Sequence, residues 1–258
     1  MENMENIENK KLRLETIDVI RGITIISMIL YHFCWDLKYL KGFNMPWYDT
    51  LGSYIWQQSI CWCFIFVAGF CVHLARNPIR NGAIVLLCGV IITAVTELLI
   101  PDAVVYYGVL TFLGSAMILV GLLKKIPLKL DAFWGFIISI LLFCITKPIN
   151  SRMLNLFVTK INLPDSLYVT NGYYGVGNSI LTYLGFMQDE FYSTDYFSLM
   201  PWIFLFLAGF YGYGVVKRRF DNGLFHINIK PLAFIGRHSL LIYMLHQPVL
   251  YGISMLIK

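Results

Sequence analysis

Charge is what this sequence has least of. Asp, Glu, Lys and Arg make up 14% of its 258 residues, against about 25% in a soluble globular domain. A chain so poor in charge cannot cover itself with a polar surface. Disorder, which needs low hydrophobicity and high charge, is excluded. Cysteine is sparse as well: six residues, too few for a secreted disulfide scaffold. Cys34, Cys61, Cys63, Cys71, Cys88 and Cys144 all lie inside apolar runs. Cys61-Trp62-Cys63 lacks the spacing of a redox pair or a zinc site. All six read as small buried hydrophobes, and no metal centre is expected. A cleavable leader is not expected either, because the first 16 residues are polar and no small-residue cleavage site follows the first apolar run.

What the sequence has in quantity is apolar residues, 58% of the chain. Runs of about 17–25 such residues are the unit that crosses a bilayer as a helix. Seven are present: residues 17–39, 54–75, 83–100, 107–123, 132–145, 201–216 and 231–257, the fifth being short. The expectation is an all-α polytopic bundle: a cytoplasmic tail over 1–16, one transmembrane domain over 17–258, and a long outer loop at about 146–200. Lys and Arg set the orientation. With the N-terminus inside, fourteen cations fall on the inner side or at inner span ends: Lys10, Lys11, Arg13, Arg21, Arg76, Arg80, Lys124, Lys125, Lys129, Lys217, Arg218, Arg219, Lys230 and Arg237. Six fall outside: Lys38, Lys41, Lys147, Arg152, Lys160 and Lys258. Seven spans then place the C-terminus outside. The net charge of +5 reads as topology and contact with anionic lipid, not nucleic acid. The bundle is compatible with an oligomer.

The outer loop holds the turn residues Pro148, Pro164, Asn171-Gly172, Gly175 and Gly177, many tyrosines, and the acidic residues Asp189, Glu190 and Asp195. Its aromatic content argues for order, and residues 181–187 suit a partly immersed segment. Elsewhere, Trp62, Phe64, Phe66, Ala68, Gly69 and Phe70 are matched position for position by Trp202, Phe204, Phe206, Ala208, Gly209 and Phe210. Small residues let helices approach closely in a membrane, so the echo reads as one packing motif used twice.

Ionisable groups inside a bilayer are expensive and mark functional sites by default. The first span carries Asp18, Arg21, His32 and Asp36. Eleven residues separate Arg21 from His32, three turns plus about 20°, so both face one way and lie about 16 Å apart. Asp18 and Asp36 fall about 60° to one side. One polar stripe thus runs along an otherwise apolar helix and must face protein or water. Local pairing offers a plain alternative: Asp18 with Arg21, and His32 with Asp36. Arg21 by itself suits snorkelling to the interface. The last span adds Arg237, His246 and Gln247, followed by Pro248. Glu97 reads as interfacial. His73, Arg76 and Arg80 close the second span on the inside, as the positive-inside rule requires.

Three blocks of residues carry a family likeness. They are Arg13-Leu14-x-x-Ile17-Asp18-x-x-Arg21-Gly22-Ile23 running on to Tyr31-His32-Phe33 and Trp35-Asp36-Leu37; Asp195-Tyr196-Phe197-x-Leu199-x-Pro201-Trp202; and Gly236-Arg237-x-Ser239-Leu240-x-x-Tyr243-x-x-His246-Gln247-Pro248. In this order they resemble the heparan-alpha-glucosaminide N-acetyltransferase catalytic-domain family, in its bacterial branch, over about residues 12–252. Arg21, ten residues and His32 are also similar to the Arg-His motif of acyltransferase-3-type O-acyltransferases. The chain is shorter than the lysosomal enzyme and lacks its glycine-rich stretch before the histidine. The resemblance implies an acyl-CoA co-substrate on the cytoplasmic side, no tightly bound cofactor, and an acceptor, often a sugar, on the far side.

Residue chemistry points the same way. Acyl transfer needs a base near neutral pH, which suits His32, and Asp36 one turn on would hold its tautomer. Coenzyme phosphates call for cations near the cytoplasm, and Arg21, Arg76, Arg80 and Arg237 are the candidates. Asp18, His246 and Gln247 would support the site. Tyr31, Ser27 and Gln247 are the candidate oxyanion donors, and the tyrosine-rich outer loop is a candidate sugar platform. The rival reading is a proton-coupled transporter or flippase, which would use the same stripe. The short chain and the lack of clear inverted repeats argue against it. A non-catalytic membrane partner leaves the stripe unexplained.

Overall fold

A computed structural model describes residues 14–124, 130–168, 176–220, 225–227 and 229–257. Lys10, Lys11, Arg13, Lys125, Lys129, Asn171, Gly172, Gly175 and Lys258 lie outside them. Among the described residues the helices are α1 (Glu15–Trp35), α2 (Leu51–Cys71), α3 (Pro78–Leu99), α4 (Val109–Leu123), α5 (Ala132–Thr146), α6 (Val176–Leu184), α7 (Leu199–Val216), α8 (Lys230–Arg237) and α9 (Ser239–Leu256). A small antiparallel hairpin, β1 (Met153–Asn155) and β2 (Lys160–Asn162), follows α5, with Leu154 opposite Ile161. The molecule is all-α in class.

Among the described residues, six helical segments are long and apolar enough to cross a membrane: Glu15–Leu40, Leu51–Cys71, Pro78–Leu99, Ala132–Ser151, Leu199–Arg219 and Ser239–Leu256. The seventh expected span is α4, apolar but only 15 residues long. The chain is therefore a multi-pass membrane protein, and of the seven expected spans it is the fourth, not the fifth, whose helix falls short. The run at 132–145 gains length because a 3-10 turn at Ile149–Ser151 carries its helix on to Ser151. The last span also differs from expectation. It breaks at His238 (φ −100°, ψ 17°) into α8 and α9.

The chain packs as two compact units, Met1–Phe64 with Val216–Lys258, and Ile65–Val215. In the second unit, α4 is buried along most of its length, while α3 turns Ile84, Leu87, Val90, Ile91, Val95 and Leu98 outward. Such a face is unsuited to water and suited to lipid. The two echoed segments meet here reciprocally: a Cβ on Gly69 would stand 1.9 Å from the Phe206 carbonyl oxygen, and one on Gly209 would stand 2.0 Å from that of Phe66. The repeated sequence is thus a self-complementary helix contact, which only glycine permits at both places.

Among the described residues of the long loop after α5, polar groups fix the course of the chain. Residues 193–197 run beside 104–109, with Thr194 N–H donating to the Val104 carbonyl and Phe197 N–H to that of Tyr107. Asp195 accepts from the Val109 N–H at the start of α4, where a carboxylate offsets the unpaired helix amides. Arg152 donates to both Asp165 and Asp189, which raises its already high pKa. Tyr107, Tyr183, Phe191 and Tyr196 form a chain of ring contacts. Glu97 is exposed near the end of α3 and hydrogen-bonds Tyr106.

Candidate functional site

The polar stripe of α1 and the polar residues of α9 come together in the first unit. Arg21 Nη2 donates to Ser239 Oγ at 2.5 Å. Further along, the rings of His32 and His246 lie 4.9 Å apart, tilted by 58°. Beyond them, Gln247 Nε2 donates to Asp36 Oδ1 at 3.0 Å. The three contacts occur in the same order along both helices, so α1 and α9 run in the same direction.

Close approach of α1 to α8 makes this register possible. A Cβ on Gly22 would lie 2.0 Å from the Leu232 carbonyl oxygen, and one on Gly236 would lie 1.8 Å from that of Asp18. Arg21 and Arg237 each neighbour one of these glycines. In the same unit, Ile25, Met28 and Ile60 are buried, with Trp56, Phe64, Ile242 and Tyr243 against them. Trp56 Nε1 donates to Ser27 Oγ at 2.7 Å. Tyr31 packs edge-on to His32 and to Trp56.

At Asp36 the helix widens into a π-turn, Asp36–Leu40. Such turns often sit at functional sites. Asp36 is fully buried. The local pairing of His32 with Asp36 weighed from the sequence does not form: among the described residues the only hydrogen-bond partner of the carboxylate is Gln247. Asp36 Oδ2, Gln247 Oε1 and His246 Nε2 are buried without a partner. His246 Nδ1 faces the Tyr243 carbonyl oxygen at 2.5 Å. A carbonyl only accepts, so Nδ1 carries the hydrogen and Nε2 of the neutral ring presents a lone pair.

The other expected residues are distributed as follows. Asp18 is half-buried on α1, and its carbonyl forms part of the glycine contact with α8. Arg237 is exposed at the end of α8. Arg76 and Arg80 are exposed and belong to the second unit, where Asn77 caps α3 by accepting from the Arg80 N–H at 3.0 Å. Of the expected oxyanion donors, Gln247 commits one N–H to Asp36 and Ser27 is engaged by Trp56. Sequence reasoning missed Ser239 as the partner of Arg21. It also treated His246 as a residue of its own helix, not as the partner of His32. The available signal was that each helix carries polar residues at both its inner and outer ends.

The first and last helices of a multi-pass bundle thus bring together two histidines, a buried carboxylate and an amide. The family model described as heparan-alpha-glucosaminide N-acetyltransferase, catalytic, matches residues 13–248. The chain belongs to this family, and is a membrane protein of the acetyltransferase type. No curated protein matches it. No solved structure matches it.

Proposed function

We propose that this protein moves an acetyl or other short acyl group from cytoplasmic acyl-CoA to an amine or hydroxyl of an extracytoplasmic sugar or glycan. His32 is the general base. It removes the proton from the acceptor as the acceptor attacks the thioester carbonyl, and returns it to the departing sulfur of CoA. The products are the acylated acceptor and free CoA. Arg21, at the inner end of the stripe, takes the phosphates of the coenzyme, joined by Arg237 of the same unit. The pantetheine arm then reaches along α1 toward His32. No cofactor is held tightly; acyl-CoA is a co-substrate.

The observation that carries this reading is the facing of His32 and His246 in a chain matched by an acetyltransferase catalytic family over residues 13–248. General acid–base work requires a basic ring held within reach of the transferred proton, and a ring pair this deep in an apolar helix bundle has that character. The protein sits in the cell membrane as one transmembrane domain, N-terminus inside and C-terminus outside. The common direction of α1 and α9 supports an odd number of spans, hence termini on opposite sides.

Binding of acetyl-CoA to the purified protein in detergent tests the reading. Acetyl-CoA should bind, and binding should weaken in Arg21→Lys. A transporter using the same stripe has no reason to bind it, so absence of binding would favour that alternative.

A further inference from the structure

We infer that Asp36, His246 and Gln247 form the acceptor subsite, and that it takes a group rich in hydrogen-bond donors, such as neighbouring amine and hydroxyl groups of a sugar. This rests on the acyl-transfer reading and names which substrate docks at which side of the histidine pair.

Each unpartnered atom has an assigned character. Gln247 turns its amide nitrogen, a donor, to Asp36 Oδ1. That fixes Oε1 as the free atom, an acceptor. Asp36 Oδ2 is the second acceptor, on a side chain with no exposed surface. His246 Nε2 is the third, since Nδ1 donates to the Tyr243 carbonyl. Buried polar atoms are nearly always satisfied, and a half-satisfied polar network is costly to a fold. Three unpartnered acceptors on neighbouring side chains therefore call for a ligand that donates to all of them.

Acyl-CoA does not answer this description at its reacting end, because a thioester carbonyl accepts and cannot donate. Nor do its phosphates, which three acceptors would repel. The nucleophile of the second substrate does: an amine or hydroxyl carries the hydrogens these atoms lack. The acyl donor then approaches from the Arg21 side of the stripe, and His32 lies between the two substrates.

Two variants of the full chain in detergent decide the matter. Asp36→Asn preserves shape and the Gln247 contact but turns the Oδ2 position into a donor. The double change Asp36→Leu with Gln247→Leu removes the polar pair altogether. Acetyl-CoA affinity should stay within about twofold in both. With free glucosamine as the acceptor probe and CoA release as the readout, KM for glucosamine should rise at least about tenfold in Asp36→Asn. The double variant should unfold at the parent's temperature or above it, since replacing a buried polar pair by apolar residues of similar volume is often neutral or stabilising. An unchanged glucosamine KM in Asp36→Asn, or a fall of several degrees in the double variant, would overturn the subsite. A parent chain that binds no acetyl-CoA would instead overturn the transfer reading, while the thermal comparison would still report on the subsite.

Discussion

His32 is where the chemistry of this chain is most exposed to test. His32→Ala should lower acyl transfer by about 10²–10⁴-fold, the usual cost of losing a general base, while acetyl-CoA still binds. His32→Gln keeps hydrogen bonding without basicity and should fail equally. Transfer near the parent's rate in His32→Ala would move the base to His246, whose Nε2 is already bare. Arg21 is half-buried and held by Ser239. Arg21→Lys keeps the charge but loses the planar fork, so acetyl-CoA affinity should fall in a direct binding assay. Away from the membrane-spanning segments, the Tyr196 hydroxyl donates to the Thr182 carbonyl, and burial pushes its phenol above the usual tyrosine range. The fold thus favours the neutral phenol. Its stabilisation is whole below about pH 10, the ordinary tyrosine value, and is lost as pH rises beyond that. Tyr196→Phe should cost about 1 kcal/mol at neutral pH and flatten the alkaline fall in thermal stability.

At the scale of elements, two glycine contacts hold helices together at backbone distance. Gly236→Val places carbon against the Asp18 carbonyl and should destabilise by about 1–3 kcal/mol or more, the usual cost of overpacking. Gly209→Leu should do the same in the second unit. Gly252 in α9 provides the contrast, since a Cβ there meets nothing within 4 Å. Gly252→Ala should be neutral or stabilising by up to about 1 kcal/mol, the helix preference of alanine over glycine. Thermal unfolding of the three variants in one detergent separates close packing from general sensitivity to substitution. The echo between 62–70 and 202–210 was visible in the sequence. That the two copies pack on each other was not, because a repeat specifies a surface and not its partner.

For the molecule as a whole, the expected topology is seven spans with the termini on opposite sides. It rests on fourteen inner against six outer cations and on the parallel course of α1 and α9. A reporter active only in the cytoplasm should be silent when fused after Lys258. A strong signal there would require an even number of spans. The outward apolar face of α3 fits the lipid-facing side of such a bundle, since water-soluble surfaces rarely gather so many large aliphatic side chains together.

The sequence by itself determined the membrane class, the positions of the spans and the polar stripe on the first helix. These follow from local properties: run length, helical period, and the cost of charge in an apolar run. Only the tertiary structure decided the partners. Asp36 sits four residues from His32, yet it bonds Gln247, 211 positions away; Arg21 bonds Ser239, 218 positions away. Helical spacing says which way a side chain points, but which helix stands there is set by packing, here by Gly22 and Gly236 bringing α8 and then α9 against α1. The break at His238 belongs to the same category, since no proline interrupts the apolar run there.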